Sequence, residues 1–215
     1  MLDQKSPKRK YDSSRRQAQA RETKIQIVEA SRVLFIKYGY AGTTIEAIAR
    51  EAGVSKVTVY SMFKNKRNIL AFLLDVAVGG DAQPIRVIER PTPQAIMHDT
   101  DQRRQLSMLA QNVGDRLTRA APVFEVMRVA AKTEPKIEAR MRHLQIERLE
   151  NMTLMARHVA ANGPFRSGMD ETRAGEIVWA LTSPELFNLL TTELGWTTEK
   201  YSDWLADLLT RALLP

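Results

Sequence analysis

A chain of 215 residues, 44% of them hydrophobic and none of them cysteine, is long enough for one substantial core or for a small module joined to a larger helical domain. The lack of cysteine excludes a disulfide framework, a thiolate metal site and a cysteine nucleophile. The net charge is +7, and residues 1–66 hold 14 Lys and Arg against 6 Asp and Glu while the remainder holds 18 against 19. The positive excess therefore sits in the first third, the pattern of a basic module that meets a polyanion, attached to a near-neutral body.

The chain starts MLDQKSPKRKYDSSRRQ, polar and basic with no apolar run, and no later stretch approaches the roughly 18 uncharged apolar residues of a membrane span. A cytoplasmic protein without membrane contact is expected. Residues 1–20 have too few large apolar side chains to offset the entropy of ordering, so they read as a disordered basic arm. From 21 to 38, Ile27, Ser31, Leu34 and Phe35 recur at helical spacing and Gly39 supplies a stop. A second short helix runs from Thr44 through Ile45, Ile48 and Ala49 to Ala52, a third starts at Ser55 and a fourth near Asn65. The stretch 79–100 holds two Gly and three Pro, so the fourth helix ends near Val78 and a junction follows. Beyond it the pattern predicts helices over 101–119, 122–131, 135–161, 170–192 with a restart at Ser183-Pro184, and 197–213. No alternating segment or hairpin signal occurs, so the fold class is all-α.

The segment TTIEAIAREAGVSKVTVYSMFKNKRNIL, residues 43–70, carries the chemistry. Two helices crossing steeply over a short turn need a small residue at their closest approach, supplied by Ala49, and a turn residue free to take positive φ, supplied by Gly53. Val54 and Val59 then close a small core with Ile45 and Ile48, and Ser55 caps the third helix. Lys56, Val57, Thr58 and Tyr60 are left pointing outward from the N-terminal half of a helix that fits a major groove. There Lys56 can bond guanine or a phosphate, Thr58 can bond a base edge or touch a thymine methyl, Val57 can make only apolar contact, and Tyr60 can bond a phosphate. Thr43 or Thr44 at the start of the second helix, with Lys64 and Lys66 at the start of the fourth, bring helix N-termini and cations to the phosphate backbone.

Residues 27–40, IVEASRVLFIKYGY, together with 43–70, resemble the N-terminal domain of TetR-family transcriptional regulators. The resemblance rests on Ile27, Phe35, Gly39, Thr43, Thr44, Ile48, Ala49, Ala52, Gly53, Val54, Ser55, Thr58, Tyr60, Phe63 and Lys66. It implies a three-helix helix-turn-helix DNA-binding head, residues 21–66, joined to a larger helical effector-binding and dimerisation domain, residues 67–215. It also implies that Thr44, Ser55, Thr58, Tyr60 and Lys66 face DNA. Two positions depart from the family pattern: Val57 stands where a small residue is common, and Met62 where an aromatic or His is common.

In the body, Leu109, Val113, Phe124, Met127, Met152, Met155 and Trp179 are expected to line a pocket for a mainly apolar small-molecule effector, because unbranched Met side chains adapt to such ligands. All three Trp fall in the last quarter with many Leu, and Leu186, Leu189, Leu190, Trp204 and Leu208 are expected at a homodimer interface. His143 and Glu147 are four apart on a helix but lack a third ligand, so neither metal nor cofactor is expected. No phosphate loop, GxSxG elbow or HExxH appears, and enzymatic activity is not expected. The expected function is a repressor that binds a palindromic double-stranded DNA operator as a homodimer and is released by its effector, the basic residues 5–24 adding salt-dependent affinity. The alternative is a helical ligand-binding or scaffold protein whose helix-turn-helix lacks specific DNA binding.

Overall fold

In the computed structural model, which describes residues 13–215, the first helix, α1, spans Ser13–Gly42 with a break at Gly39, where φ is 70°. That conformation is open to glycine at little cost and turns the chain toward α2 (Ile45–Glu51). The part of the expected disordered arm before residue 13 lies outside the described residues. Residues 13–20, expected to be disordered, are helical. Residues 15–20 are exposed, and Arg, Gln and Ala extend an existing helix readily because propagation avoids the cost of nucleation.

The helices α3 (Lys56–Phe63) and α4 (Lys66–Gly79) follow, and α4 ends where Gly80 takes a left-handed conformation. The predicted starts hold to the residue: Thr44, Ser55 and Asn65 each accept a hydrogen bond from the backbone N–H three positions on. The Pro-rich junction contains a single 3-10 turn, Val87–Glu89, and a helix that the sequence reading missed, α5 (Pro91–His98). Its prolines read as breakers, but Pro91 and Pro93 sit in the first turn, where no intrahelical N–H is needed.

The long helix α6 (Gln102–Ala131) is continuous through Pro122, where a break near 119–122 was expected. An interior proline costs about 3 kcal/mol. The helix persists because Ala120, Ala121 and Val123 around it are fully buried. An antiparallel partner, α7 (Pro135–Ala160), is followed by α8 (Glu171–Leu181), α9 (Pro184–Asn188) with a π-helical turn at Leu189–Glu193, and α10 (Thr198–Leu213). Ser183 caps α9, as predicted.

Two apolar cores organise these helices. One joins Ile27 and Phe35 of α1, Ile48, Val59, Phe63 and the buried face of α4 to Ala120, Val123, Met127 and Ala130 of α6 and Ile137 of α7. The other joins Leu106, Leu109, Val113 and Leu117 of α6 to Met155 and Val159 of α7, Val178 of α8, and Tyr201, Leu205 and Leu209 of α10. Packing is thus continuous across residue 66, and α6, about 45 Å long at 1.5 Å per residue, passes from one core into the other.

Candidate nucleic-acid interface and body cavity

The turn between α2 and α3 is built from local hydrogen bonds. Gly53, at φ 65°, follows Ala52, and the Val54 N–H donates to the Ala49 carbonyl at 2.9 Å. Ala49 is buried at the crossing, and Val54 packs half-buried against the same core. Ser55 then accepts from the Thr58 N–H at 3.1 Å, and the two hydroxyls share a hydrogen bond at 2.8 Å.

With Val59 and Phe63 buried, α3 turns its other side to solvent: Val57 is 77% exposed and Tyr60 50%, while Ser55 and Lys56 are exposed and Thr58 half-buried. Lys56 pairs with Glu46 of α2 at 3.1 Å, both groups more than half exposed, a pairing worth little in water and open to exchange for a phosphate. Thr44 lies exposed at the start of α2. Lys64 is exposed before α4, with φ at 64° and a backbone N–H bonded to the Tyr60 carbonyl.

Two expected contacts prove to be scaffold. Thr43 is only 1% exposed, and its hydroxyl donates to the Leu34 and Gly39 carbonyls at 3.1 and 2.8 Å. It closes the end of α1 and does not face outward. The Lys66 ammonium donates to the Tyr40 and Thr43 carbonyls at 2.6 and 2.8 Å and lies 4.2 Å from the Tyr40 ring centroid. Burial lowers its pKa, against the opposing charge of Glu134. Lys66 therefore pins α4 to the α1–α2 corner. Met62, one of the two departures, is turned half-buried against the core; Val57 alone of the pair lies on the exposed face.

Residues 27–72 match the family of bacterial regulatory proteins called tetR. The head of this chain is thus similar to that of the tetR family. Two relatives align over the tetR-type head. The transcriptional regulator TtgR of Pseudomonas putida is 43% identical over 61 residues, covering 28% of this chain and 29% of TtgR. The regulator SrpR of Pseudomonas putida is 37% identical over 57 residues, covering 26% and 27%. The aligned stretch is thus less than a third of each relative. Over the whole chain the likeness is one of fold. FadR of Bacillus subtilis, solved with stearoyl-CoA, superposes with a TM-score of 0.69 at 20% identity, covering 86% of this chain and 96% of FadR. NalD, the secondary repressor of the MexAB-OprM multidrug efflux pump in Pseudomonas aeruginosa, gives 0.67 at 21% identity, covering 91% and 98%.

Behind the tetR-type head, where α6 passes between the two cores, a cavity of about 110 Å³ opens between α4, α6 and α7. Of the residues expected to line a pocket, Val113, Phe124 and Met152 do so. Leu109 and Met155 are packed into the body core and Met127 into the head core. Trp179 lies off the wall, stacked under the Arg148 guanidinium with 4.7 Å to its ring centroid.

The sequence reading missed Arg116, Leu117, Leu144, Glu147, Arg148, Asn151 and Thr182, which complete much of the wall. A signal existed: Arg116 sits beside Val113, Leu117 and Ala120 on one side of α6, and Arg148 precedes Met152 by four, so two charges interrupt apolar stripes. Arg148 donates to the Trp179 carbonyl at 2.7 Å, and burial lowers its pKa to about 10. Arg116 is likewise lowered to about 10, by burial and then by the nearby charges of Arg119 and Arg90.

The expected interface residues also divide. Leu189 is 54% exposed, Leu186, Trp204 and Leu208 are half-buried, and Leu190 belongs to the body core. Leu190 faces the body core while Leu189, about 100° further round the helix at 3.6 residues per turn, faces solvent. Among the described residues no helix is long and apolar enough to cross a membrane.

Proposed function

We propose that the chain is a ligand-responsive transcriptional repressor that binds a palindromic DNA operator as a homodimer in the cytoplasm and has no catalytic role. The observation that carries this reading is the outward face of α3. Ser55, Lys56, Val57, Thr58 and Tyr60 stand clear of a buried Val59 and Phe63, between the capped starts of α2 and α4. In a dimer two such faces would enter successive major grooves about 34–36 Å apart. Leu189 and Leu194, 54% and 62% exposed near the start of α10, support a partner subunit on that side of the body. The cavity behind the head supports an effector site, as does the bound acyl thioester of FadR.

The test is a mobility-shift titration with the DNA upstream of the chain's own gene. Thr58→Ala and Tyr60→Phe each weaken the specific complex, by about 5- to 100-fold for a lost base contact and less for a lost phosphate contact. A specific shift untouched by both substitutions removes the contact assignment. Absence of any shift at low salt favours a scaffold role instead.

A further inference from the structure

The cavity wall is mostly apolar, yet Arg116 enters it with one hydrogen bond, from Nη2 to Asn112 Oδ1 at 2.6 Å. Among the described residues it forms no ion pair. The carboxylate on the same wall, Glu147, is turned to His143 at 3.2 Å. Arg148 is held by the Trp179 carbonyl, Thr182 Oγ1 and Gln145 Oε1. Among the described residues Arg119, close enough to raise the local positive potential, donates to backbone carbonyls alone. A more polar recess adjoins the cavity through the shared residues Val78, Val87, Leu144, Glu147 and Asn151 and adds Arg86, Arg90 and Arg140 to its rim. Asp81 occupies Arg90, and Asp75 occupies Arg140.

A guanidinium drawn from water into apolar surroundings without a counter-charge is unfavourable, and the one group that reverses the penalty is an anion delivered to it. We propose that the cavity takes a small amphipathic carboxylate, its charged end on Arg116 and its apolar end against Val113, Phe124 and Met152. The apolar cavity, about 110 Å³ against the roughly 150 Å³ cavity that holds benzene, has room for an aromatic ring or a short alkyl chain. This inference rests on the effector reading and narrows the expected apolar effector to an acid.

The experiment is calorimetric titration of the full chain with benzoate, phenylacetate, hexanoate and octanoate, each beside its neutral amide, for the native protein and for Arg116→Met. At least one acid binds the native protein tenfold or more tightly than its amide, and Arg116→Met abolishes that preference while binding of the amide is kept. A panel in which no acid outbinds its amide tenfold, or in which Arg116→Met leaves the preference intact, overturns the proposal. The same compounds are then added to the operator complex. Amides that release DNA where acids do not overturn the acid assignment and leave the effector reading standing. Acids that bind through Arg116 without altering operator affinity uphold the assignment and remove the effector reading.

Discussion

The hydroxyl of Thr43 lies under the corner of the head, bonded to two carbonyls of α1, whereas that of Ser55 faces solvent and caps α3. Both residues carry the sequence signature of a helix start beside DNA, and their exposure separates their roles. Replacing Thr43 by Val keeps the shape and removes the donor, so it lowers stability by about 1–2 kcal/mol. Operator affinity measured well below the Tm stays within about twofold, and a larger loss contradicts the scaffold assignment. Lys64 poses the opposite case, an exposed cation held at φ 64°, a region where a side chain is strained. Lys64→Gly relieves that strain and raises the Tm, the gain being up to about 1 kcal/mol. It also weakens DNA binding uniformly across sequences and reduces the slope of log K against log salt by about 0.9. Stability and affinity moving in opposite directions, by thermal unfolding and salt titration, is the result that identifies a positioning contact.

At the scale of elements, close approach between helix backbones sets which residues are tolerated. α8 lies so near α7 that a Cβ on Gly175 would sit 2.6 Å from Thr153 Cα, a backbone atom that cannot swing aside. Gly175→Ala therefore destabilises the fold by about 1–3 kcal/mol despite the better helix propensity of alanine. Chemical denaturation measures it, and a neutral or stabilising result shows that α8 can shift. Local signals located most helices here: caps at Thr44, Ser55, Asn65 and Ser183 act through hydrogen bonds to a neighbour three residues on. Apart from residues 13–20 of α1, the errors fell at prolines. Pro91 and Pro93 start α5, and Pro122 lies inside α6; a proline's effect depends on whether it meets the first turn or the interior, and on burial of the residues beside it.

At the scale of the molecule, the proposed function makes α6 the link from ligand to DNA. Its residues Val113 to Phe124 line the cavity, and the next turns, at Val126, Met127 and Ala130, pack under the head. A ligand that shifts this segment moves the surface on which α1 and α4 rest, and hence the separation of two recognition helices in a dimer. Linkage fixes the arithmetic: a ligand that weakens operator binding tenfold must itself bind tenfold more weakly to the operator complex. Titrating ligand into free protein and into the complex checks this, and unequal factors remove the two-state coupling. Light scattering in the same buffer should return twice the 24.4 kDa chain mass; a monomer at working concentration removes the dimer reading.

The amino-acid sequence by itself determined the all-helical class, the helix-turn-helix with Ala49, Gly53 and Ser55 at its joints, and the outward placement of Val57 and Tyr60. These follow from interactions between residues a few positions apart, which spacing and side-chain chemistry reveal directly. Tertiary structure alone decided that Thr43 and Lys66 brace the head, that α6 runs unbroken through two cores, and that Arg116 and Arg148 join Val113, Phe124 and Met152 around one cavity. Each depends on groups distant in the chain, so burial and the partner across the fold, which spacing does not encode, assign the role.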